Sequence, residues 1–327
     1  MPPRVPADTN PRQPGNPIGE TVWILIPVRD RKATTLGCLR HLREIEALPA
    51  AQILVLDDGS SDGTADAVAQ EFPLVRLERG DGAWWWTGAI DHGMRIALQA
   101  GADLIIWLND DCLPDKGALE TLVATCRQTK GICGGMCRAA ATHAITYSGG
   151  FIRKGWPLRL KSAPAKDLEC DWLHGNLLCI NAEVCGRIGL PDSRHLPHNW
   201  GDIEYTYRAK TCNIPVTLVP AVEAICERNL GSLYQSWIDP KLPIFDIWWN
   251  LFNPKVWWYL PGLLSLMYRH FGWAGAYNVL TLLAKLVFLT IARPIIPHGL
   301  LAQWQSVINK GRGRGISSRL DDTGKEK

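Results

Sequence analysis

Two pairs of neighbouring aspartates, Asp57-Asp58 in ILVLDDGSSDGT and Asp110-Asp111 in LIIWLNDDCLP, are the residues of this chain best placed to do chemistry. Each pair follows a run of apolar, β-branched-rich residues and precedes turn formers, which predicts carboxylates at the end of a buried strand. In an open α/β sheet, that edge is where ligands bind. Carboxylates gathered there repel one another, and a bound divalent cation or a set of hydrogen-bond donors relieves the repulsion. The pattern points to a site that holds a metal and something anionic. Taken alone, DDGSSDG also fits an Asx turn leading into a helix N-cap. A calcium loop is disfavoured because no Glu closes it at the EF-hand position.

The elements that must position these acids are legible as alternating signals. Strand patterns at 21–28, 52–57, 75–78 and 104–108 alternate with helical stretches near 33–48, 63–71 and 90–101. That alternation predicts right-handed βαβ units and a mostly parallel sheet. After Asp115 the pattern loosens into a helix, a Gly-rich segment (GICGGMC), strand signals around 144–151 and 172–180, and a helix from about Asp202. The first half reads as a nucleotide-binding fold and the second as an acceptor region.

Composition bounds the function. A chain of 327 residues with 46% apolar content can bury one large α/β domain and carry an appendage. A net charge of +3, with no basic run interleaved with aromatics, argues against nucleic acid as a partner. The ten cysteines lack paired CxxC spacing. Cys133 and Cys137 could form half a metal site but no matching pair follows, so the cysteines read as small core residues in a reducing compartment. The opening MPPRVPADTNPRQPGNPIGE is rich in Pro and Asn without an apolar stretch, which predicts a disordered tail over 1–20 and a cytoplasmic catalytic part.

From Ile244 onward, Trp crowds the sequence, and VLTLLAKLVFLTIARPII over 279–296 is nearly all apolar. That run has about the minimum length for a bilayer span, yet Lys285 and Arg293 interrupt it and Pro294 ends it. A helix lying in the membrane interface fits better, with Trp and Tyr at the headgroup level and the basic KGRGRG near anionic lipid. The competing reading is a buried helical hairpin that closes the core or makes a dimer. The predicted organisation is a catalytic domain over 21–235, a hydrophobic helical segment over 236–308 and a polar, disordered tail over 309–327.

The series IPVRDR, VLDDGSSDGT, WWWTGAIDHGM, LNDDC, HGNLLCINAEVCGRIGLPD and WGDIEYTYR resembles, in order and spacing, the inverting family 2 glycosyltransferases with the GT-A fold. The branch it resembles most is the rhamnosyltransferase-like enzymes that build bacterial surface polysaccharides. The resemblance implies a Rossmann-like mixed α/β sheet flanked by helices, followed by the membrane-associating helices. It implies that the first strand ends at Pro27 and Val28 in the donor site, that Arg29, Asp30 and Arg31 border the nucleobase, and that Asp58 accepts a hydrogen bond from a pyrimidine N–H, hence a UDP- or dTDP-linked donor. Trp86 and Gly88 would lie beside that donor. Asp111 would be the direct ligand of Mg²⁺ or Mn²⁺, with Asp110 near the ribose or the metal's waters. His174, Gly175, Asn176 and Trp200 would line the acceptor and sugar side, and Asp202 would be the general base of an inverting displacement. A helix N-terminus lowers the pKa of a carboxylate, so Asp202 would be a weak base acting mainly by position.

The sequence departs from the family pattern at three places. Arg29-Asp30 replaces the usual Asn of the first loop, Gly201-Asp202 replaces Glu-Asp, and ICERNLGS offers Glu227 or Arg228 where many relatives carry a metal-side His. The implied partners are a nucleotide-sugar, a glycan or polyprenyl-linked acceptor and a membrane surface, at the cytoplasmic face of a bacterial inner membrane. Two rival readings are a nucleotidyltransferase, which lacks its Gly-rich triphosphate loop in IPVRDRKATT, and a catalytically silent membrane-bound scaffold.

Overall fold

The computed structural model describes residues 21–153, 159–162, 168–227, 243–297, 299, 300 and 303. The predicted tails and Arg228 lie outside the described residues. Four parallel strands form one half of the main sheet: β1 (Val22–Val28), β2 (Gln52–Asp57), β3 (Arg76–Arg79) and β4 (Leu104–Leu108), in the spatial order β4-β1-β2-β3. They are joined by α1 (Lys32–Glu44), α2 (Thr64–Glu71) and α3 (Trp85–Gln99). Strands β1 and β4 are nearly continuous apolar runs because helices cover both of their faces. Side chains alternate accordingly: Ile24, Ile26 and Val28 enter one core with Leu39 and Leu119, while Trp23 and Leu25 enter the other with Ile90, Met94 and Trp107.

The other half departs from the mostly parallel expectation. It contains β5 (Leu113–Pro114), β6 (Ile132–Arg138), β7 (Ile145–Tyr147), β10 (Leu168–Glu169), β12 (Leu177–Asn181) and β13 (Val216–Ile225). Strand β12 inserts antiparallel between β4 and β6, and β13 returns parallel to β6, so the sheet is mixed, as the family resemblance implies. The Gly-rich GICGGMC is a buried central strand, β6. A Cβ on Gly134 would stand 2.9 Å from Leu178 Cδ2, and one on Gly135 would stand 2.7 Å from Leu177 Cδ2 and 2.8 Å from Val222 Cγ1. The absence of side chains there lets its neighbours fill the space. A small second sheet pairs β11 (Trp172–Leu173), β8 (Gly149–Arg153) and β9 (Arg159–Ser162). The strand signal over 172–180 is thus two strands broken at His174-Gly175-Asn176. Helices α4 (Ala118–Thr129), α5 (Ala182–Ile188) and α6 (Gly201–Thr211) complete this unit.

The described residues divide into two compact units, the first reaching Glu227 and the second beginning at Pro243. The second holds α7 (Ile244–Asn250) and α8 (Leu260–Ala292), which pack around Ile247, Leu251 and Leu286, with Trp248 Nε1 donating to Thr290 Oγ1 at 3.1 Å. Helix α8 is long and apolar enough to cross a membrane by length and composition. It is bent at Gly272 (φ 56°, ψ −141°), a conformation open to glycine. Phe245, Trp249, Phe252, Trp273, Phe288 and Ile291 are exposed.

Candidate active site

Strands β2 and β4 flank β1 and run parallel to it, so both aspartate pairs emerge at the same edge of the sheet. The fold supplies hydrogen-bond donors to both. Arg31, from the loop after β1, reaches across to the second pair: its Nε stands 3.2 Å from Asp110 Oδ1 and its Nη2 2.9 Å from Asp111 Oδ2. Thr35 Oγ1 donates to Asp110 Oδ2 at 3.0 Å. Asp110 is buried, and burial pushes its carboxyl up to about 6 although Arg31 and Thr35 pull the other way. Asp111 is the member of the pair that reaches solvent, its side chain 19% exposed. A hard cation takes oxygen ligands. Asp111 fits a direct contact with one, and Asp110, walled in by Thr35 and Arg31, fits an indirect role.

Asp58 organises the start of α3 at Trp84 and Trp85. Its Oδ1 accepts from the backbone N–H of Gly82 and Trp84, both at 3.0 Å, and its Oδ2 accepts from Trp85 N–H at 2.8 Å. Arg29 Nη1 lies 3.6 Å from the same Oδ2 and also donates to Gly82 O. Asp57 Oδ1 accepts from Ser60 N at 2.8 Å, while its buried Oδ2 has no hydrogen-bond partner among the described residues. Asp30 ties the first loop to the next: its N–H donates to Ser60 Oγ, and its Oδ1 accepts from Ser61 N at 2.7 Å, which lowers its pKa. Pro27 and Val28 end β1 beside these groups, where Val28 O accepts from Asp58 N. Asp30 (φ 50°), Trp85 (φ 56°) and Trp200 (φ 71°) all adopt the left-handed conformation, which is costly for tryptophan. Such strain clusters at functional sites.

Asp202 lies in the first turn of α6. Its Oδ2 accepts from Gly175 N at 2.6 Å and its Oδ1 from Ile203 N at 2.8 Å, with His174 Nδ1 3.8 Å from Oδ2. Burial raises its carboxyl, but His174 and the two backbone donors outweigh that and hold it below the ordinary aspartate value. His174 is fixed edge-on by Tyr147 and Trp172, with ring centroids 5.3 and 5.1 Å away. Trp86 joins the two halves of the site. Its Nε1 donates to Asn109 Oδ1 at 2.8 Å, beside Asp110, and its ring lies where a Cβ on Gly175 would stand, 2.5 Å from Cη2. That Cβ would also be 2.9 Å from Asp202 Cβ. Gly201 is equally confined, since its Cβ would meet Thr87 Oγ1. Trp200 is buried at the N-cap of α6. Asn176 is buried and aims its amide at Cys226 Sγ, 3.6 Å away. A Cβ on Gly88 would make only ordinary contacts within the chain.

Residues 23–149 match the family model described as Glycosyl transferase family 2. Among solved structures, one described as "Crystal structure of GalNAc-T7 with UDP, GalNAc and Mn2+" is 17% identical with a TM-score of 0.52, covering 64% of this chain and 44% of that one. The chain thus spans less than half the length of that protein, and the likeness establishes the fold. A second, "Mannosyltransferase PcManGT from Pyrobaculum calidifontis in complex with GDP-Man and Mn2+", is 15% identical with a TM-score of 0.49, covering 93% of this chain and 88% of that one. A comparison with curated proteins gave no match.

Several residues of the candidate site have contacts that the sequence reading did not give them. Arg31, expected near the nucleobase, clamps the Asp110-Asp111 pair. Glu204 is fully buried, and Arg208 meets it at 3.1 Å while donating to Ile188 O and Leu190 O. The signal was available in the i,i+4 spacing of Glu204 and Arg208 on α6. Cys226 lies 3.8 Å from Asp111 Oδ1, next to Glu227.

Proposed function

We propose that the chain is an inverting glycosyltransferase that moves a sugar from a UDP- or dTDP-linked donor to a hydroxyl of a glycan or polyprenyl-linked acceptor in bacterial surface-polysaccharide synthesis. The observation that carries the reading is Trp86, which touches both Asn109 of the acidic edge and Gly175 beside Asp202, making one continuous site. The donor nucleotide lies over the ends of β1 and β2, with its base beside Pro27, Val28 and Asp30. Asp58 holds the Trp84–Trp86 start of α3 under the base and meets the pyrimidine N–H through the Oδ2 face it shares with Arg29. A Mg²⁺ or Mn²⁺ ion held by Asp111 would neutralise charge developing on the diphosphate leaving group.

Asp202 takes the proton of the acceptor hydroxyl as that oxygen attacks the anomeric carbon from the face opposite the diphosphate. The bond from that carbon to the diphosphate oxygen breaks with its electron pair, and the configuration inverts. The lowered pKa keeps Asp202 ionised at neutral pH, and Gly175 N–H, Ile203 N–H and His174 fix its direction. It acts through position more than basicity. His174, Gly175, Asn176 and Trp200 shape the acceptor side around it. The exposed aromatic surface of α7 and α8 supports peripheral or monotopic attachment at the cytoplasmic face of the inner membrane, where a lipid-linked acceptor would be met.

Calorimetric titration with UDP, dTDP, GDP and CDP, with and without Mn²⁺, tests the donor half. UDP or dTDP should bind in a Mn²⁺-dependent way that Asp111→Ala abolishes. Asp202→Asn should leave that affinity unchanged while lowering turnover by about 10²–10⁴-fold. A folded protein that binds none of the four nucleotides would remove the transferase reading.

A further inference from the structure

Three cysteines far apart in sequence meet directly behind the acidic edge. Cys112 follows Asp111, Cys137 lies on β6 and Cys226 follows β13. All three are buried, and their sulfur atoms lie within 4.8 Å of one another, with Cys112 Sγ and Cys137 Sγ 3.7 Å apart. Four thiolates around Zn²⁺ at about 2.3 Å stand roughly 3.8 Å apart by tetrahedral geometry, so this triangle needs only a small contraction. Two polar groups lie against one of the three sulfurs: Asp111 Oδ1 is 3.8 Å from Cys226 Sγ, and Asn176 Nδ2 points at the same sulfur from 3.6 Å.

The backbone around each sulfur is already fixed. Cys112 N–H donates to Asn109 O at 3.0 Å, Cys226 N–H donates to Arg138 O at 2.9 Å, and Cys137 pairs with Tyr147 of β7. Other buried cysteines of the same core are engaged differently, Cys126 Sγ donating to Cys179 O at 3.3 Å and Cys133 Sγ meeting Thr129 Oγ1 at 3.3 Å. Cys126 also neighbours Cys133 and Cys179, but among the described residues only Cys112, Cys137 and Cys226 bring three such ligand atoms within 4.8 Å of one another.

We propose that Cys112, Cys137 and Cys226 form a buried three-sulfur site for a thiophilic divalent cation, Zn²⁺, and that Asp111, beside Cys226 Sγ, turns in to supply the fourth ligand. Binding replaces the thiol protons, which leave to solvent, with three sulfur–metal bonds, and the Asn176 amide donates to the coordinated Cys226 sulfur. The site requires no donor nucleotide and does not depend on the transferase reading. A soft trithiolate also separates this ion from a hard Mg²⁺ or Mn²⁺, which prefers oxygen ligands. Because Asp111 borders both, occupancy by Zn²⁺ would draw this carboxylate toward the cysteines and lower transferase activity at saturating Mn²⁺.

The test uses the full chain, reduced and freed of metal by chelator, titrated with Co²⁺ as a spectroscopic substitute for Zn²⁺. One equivalent should bring up thiolate-to-cobalt charge-transfer absorption and the intense visible bands of a tetrahedral site, and one equivalent of Zn²⁺ should bleach both. Cys137→Ser and Cys226→Ser should lose the charge-transfer band, while Cys133→Ser, outside the cluster, should keep it. Should the cluster variants fail to fold, the wild-type chain still decides. Zn²⁺ should protect Cys112, Cys137 and Cys226 together from alkylation as read by peptide mass spectrometry. A folded wild-type chain without the cobalt–thiolate band, protection of unrelated cysteines only, or a Cys112–Cys137 disulfide as the stable form would each overturn the proposal.

Discussion

Asp110 sets a pH dependence that can be read without any ligand. Burial raises its carboxyl from 3.8 to about 6 against the pull of Arg31 and Thr35. A carboxyl raised on folding contributes stability that is fully present below its unfolded pKa and is lost as pH rises through its folded one. This residue should therefore cost on the order of 3 kcal/mol between pH about 4 and about 6, at 1.36 kcal/mol per unit. Asp202, shifted downward, acts in the opposite sense and below that window. Urea unfolding of the metal-free chain should show Asp110→Asn at least as stable as wild type at pH 7, with a flatter pH profile between 4 and 6. A variant about 2 kcal/mol less stable at pH 7 would mean that the Arg31 and Thr35 bonds outweigh the burial of the charge. The carboxylates themselves were legible because each ends an apolar strand. Their partners were not: Arg31 stands 79 and 80 positions away along the chain from Asp110 and Asp111, and Cys112, Cys137 and Cys226 share no spacing. Only the sheet order brings those groups together.

At the scale of elements, hydrophobic period exposed β1, β2 and β4, since each is an apolar run bounded by turn residues, whereas β3 (RLER) is short and mixed and showed through its place in the alternation. The second half hid its topology because GICGGMC looks like a loop by composition and β12 enters antiparallel. Gly134 and Gly135 are there for space, since the apolar fill comes from Leu173, Leu177, Leu178 and Val222 on neighbouring strands. Gly135→Val would force its Cβ against Leu177, Val222 Cγ1 and the Val222 carbonyl oxygen, and overpacking of a full core costs about 1–3 kcal/mol. Gly186 in α5 is the contrast, with nothing near its would-be Cβ and no positive φ. Gly186→Ala should raise stability by about 0.5–1 kcal/mol. The paired denaturation midpoints should move in opposite directions. If both fall, the tight packing of β6 is not what makes glycine necessary there.

At the scale of the whole molecule, the aromatic second unit raises the question of how the chain meets a membrane. The sequence reading favoured an interfacial helix over a span on the strength of Lys285 and Arg293, and the bend at Gly272 adds a reason it could not supply. Residues 260–271 would extend about 18 Å and residues 273–292 about 30 Å at 1.5 Å per residue, so only the second stretch matches the hydrocarbon thickness, and Lys285 falls inside it. Large apolar side chains left exposed, with Trp273 80% and Trp249 69% accessible, carry the ring type that settles at headgroup depth. Flotation with vesicles containing anionic lipid should carry the full chain upward and leave a chain ending at Pro243, still folded by circular dichroism, at the bottom of the gradient. Lipids brominated near the headgroup should quench the tryptophan emission of the full chain more than lipids brominated at the chain ends. Equal flotation of the truncated chain would place the membrane contact in the first unit, and deep quenching would turn the interfacial helix into a spanning one.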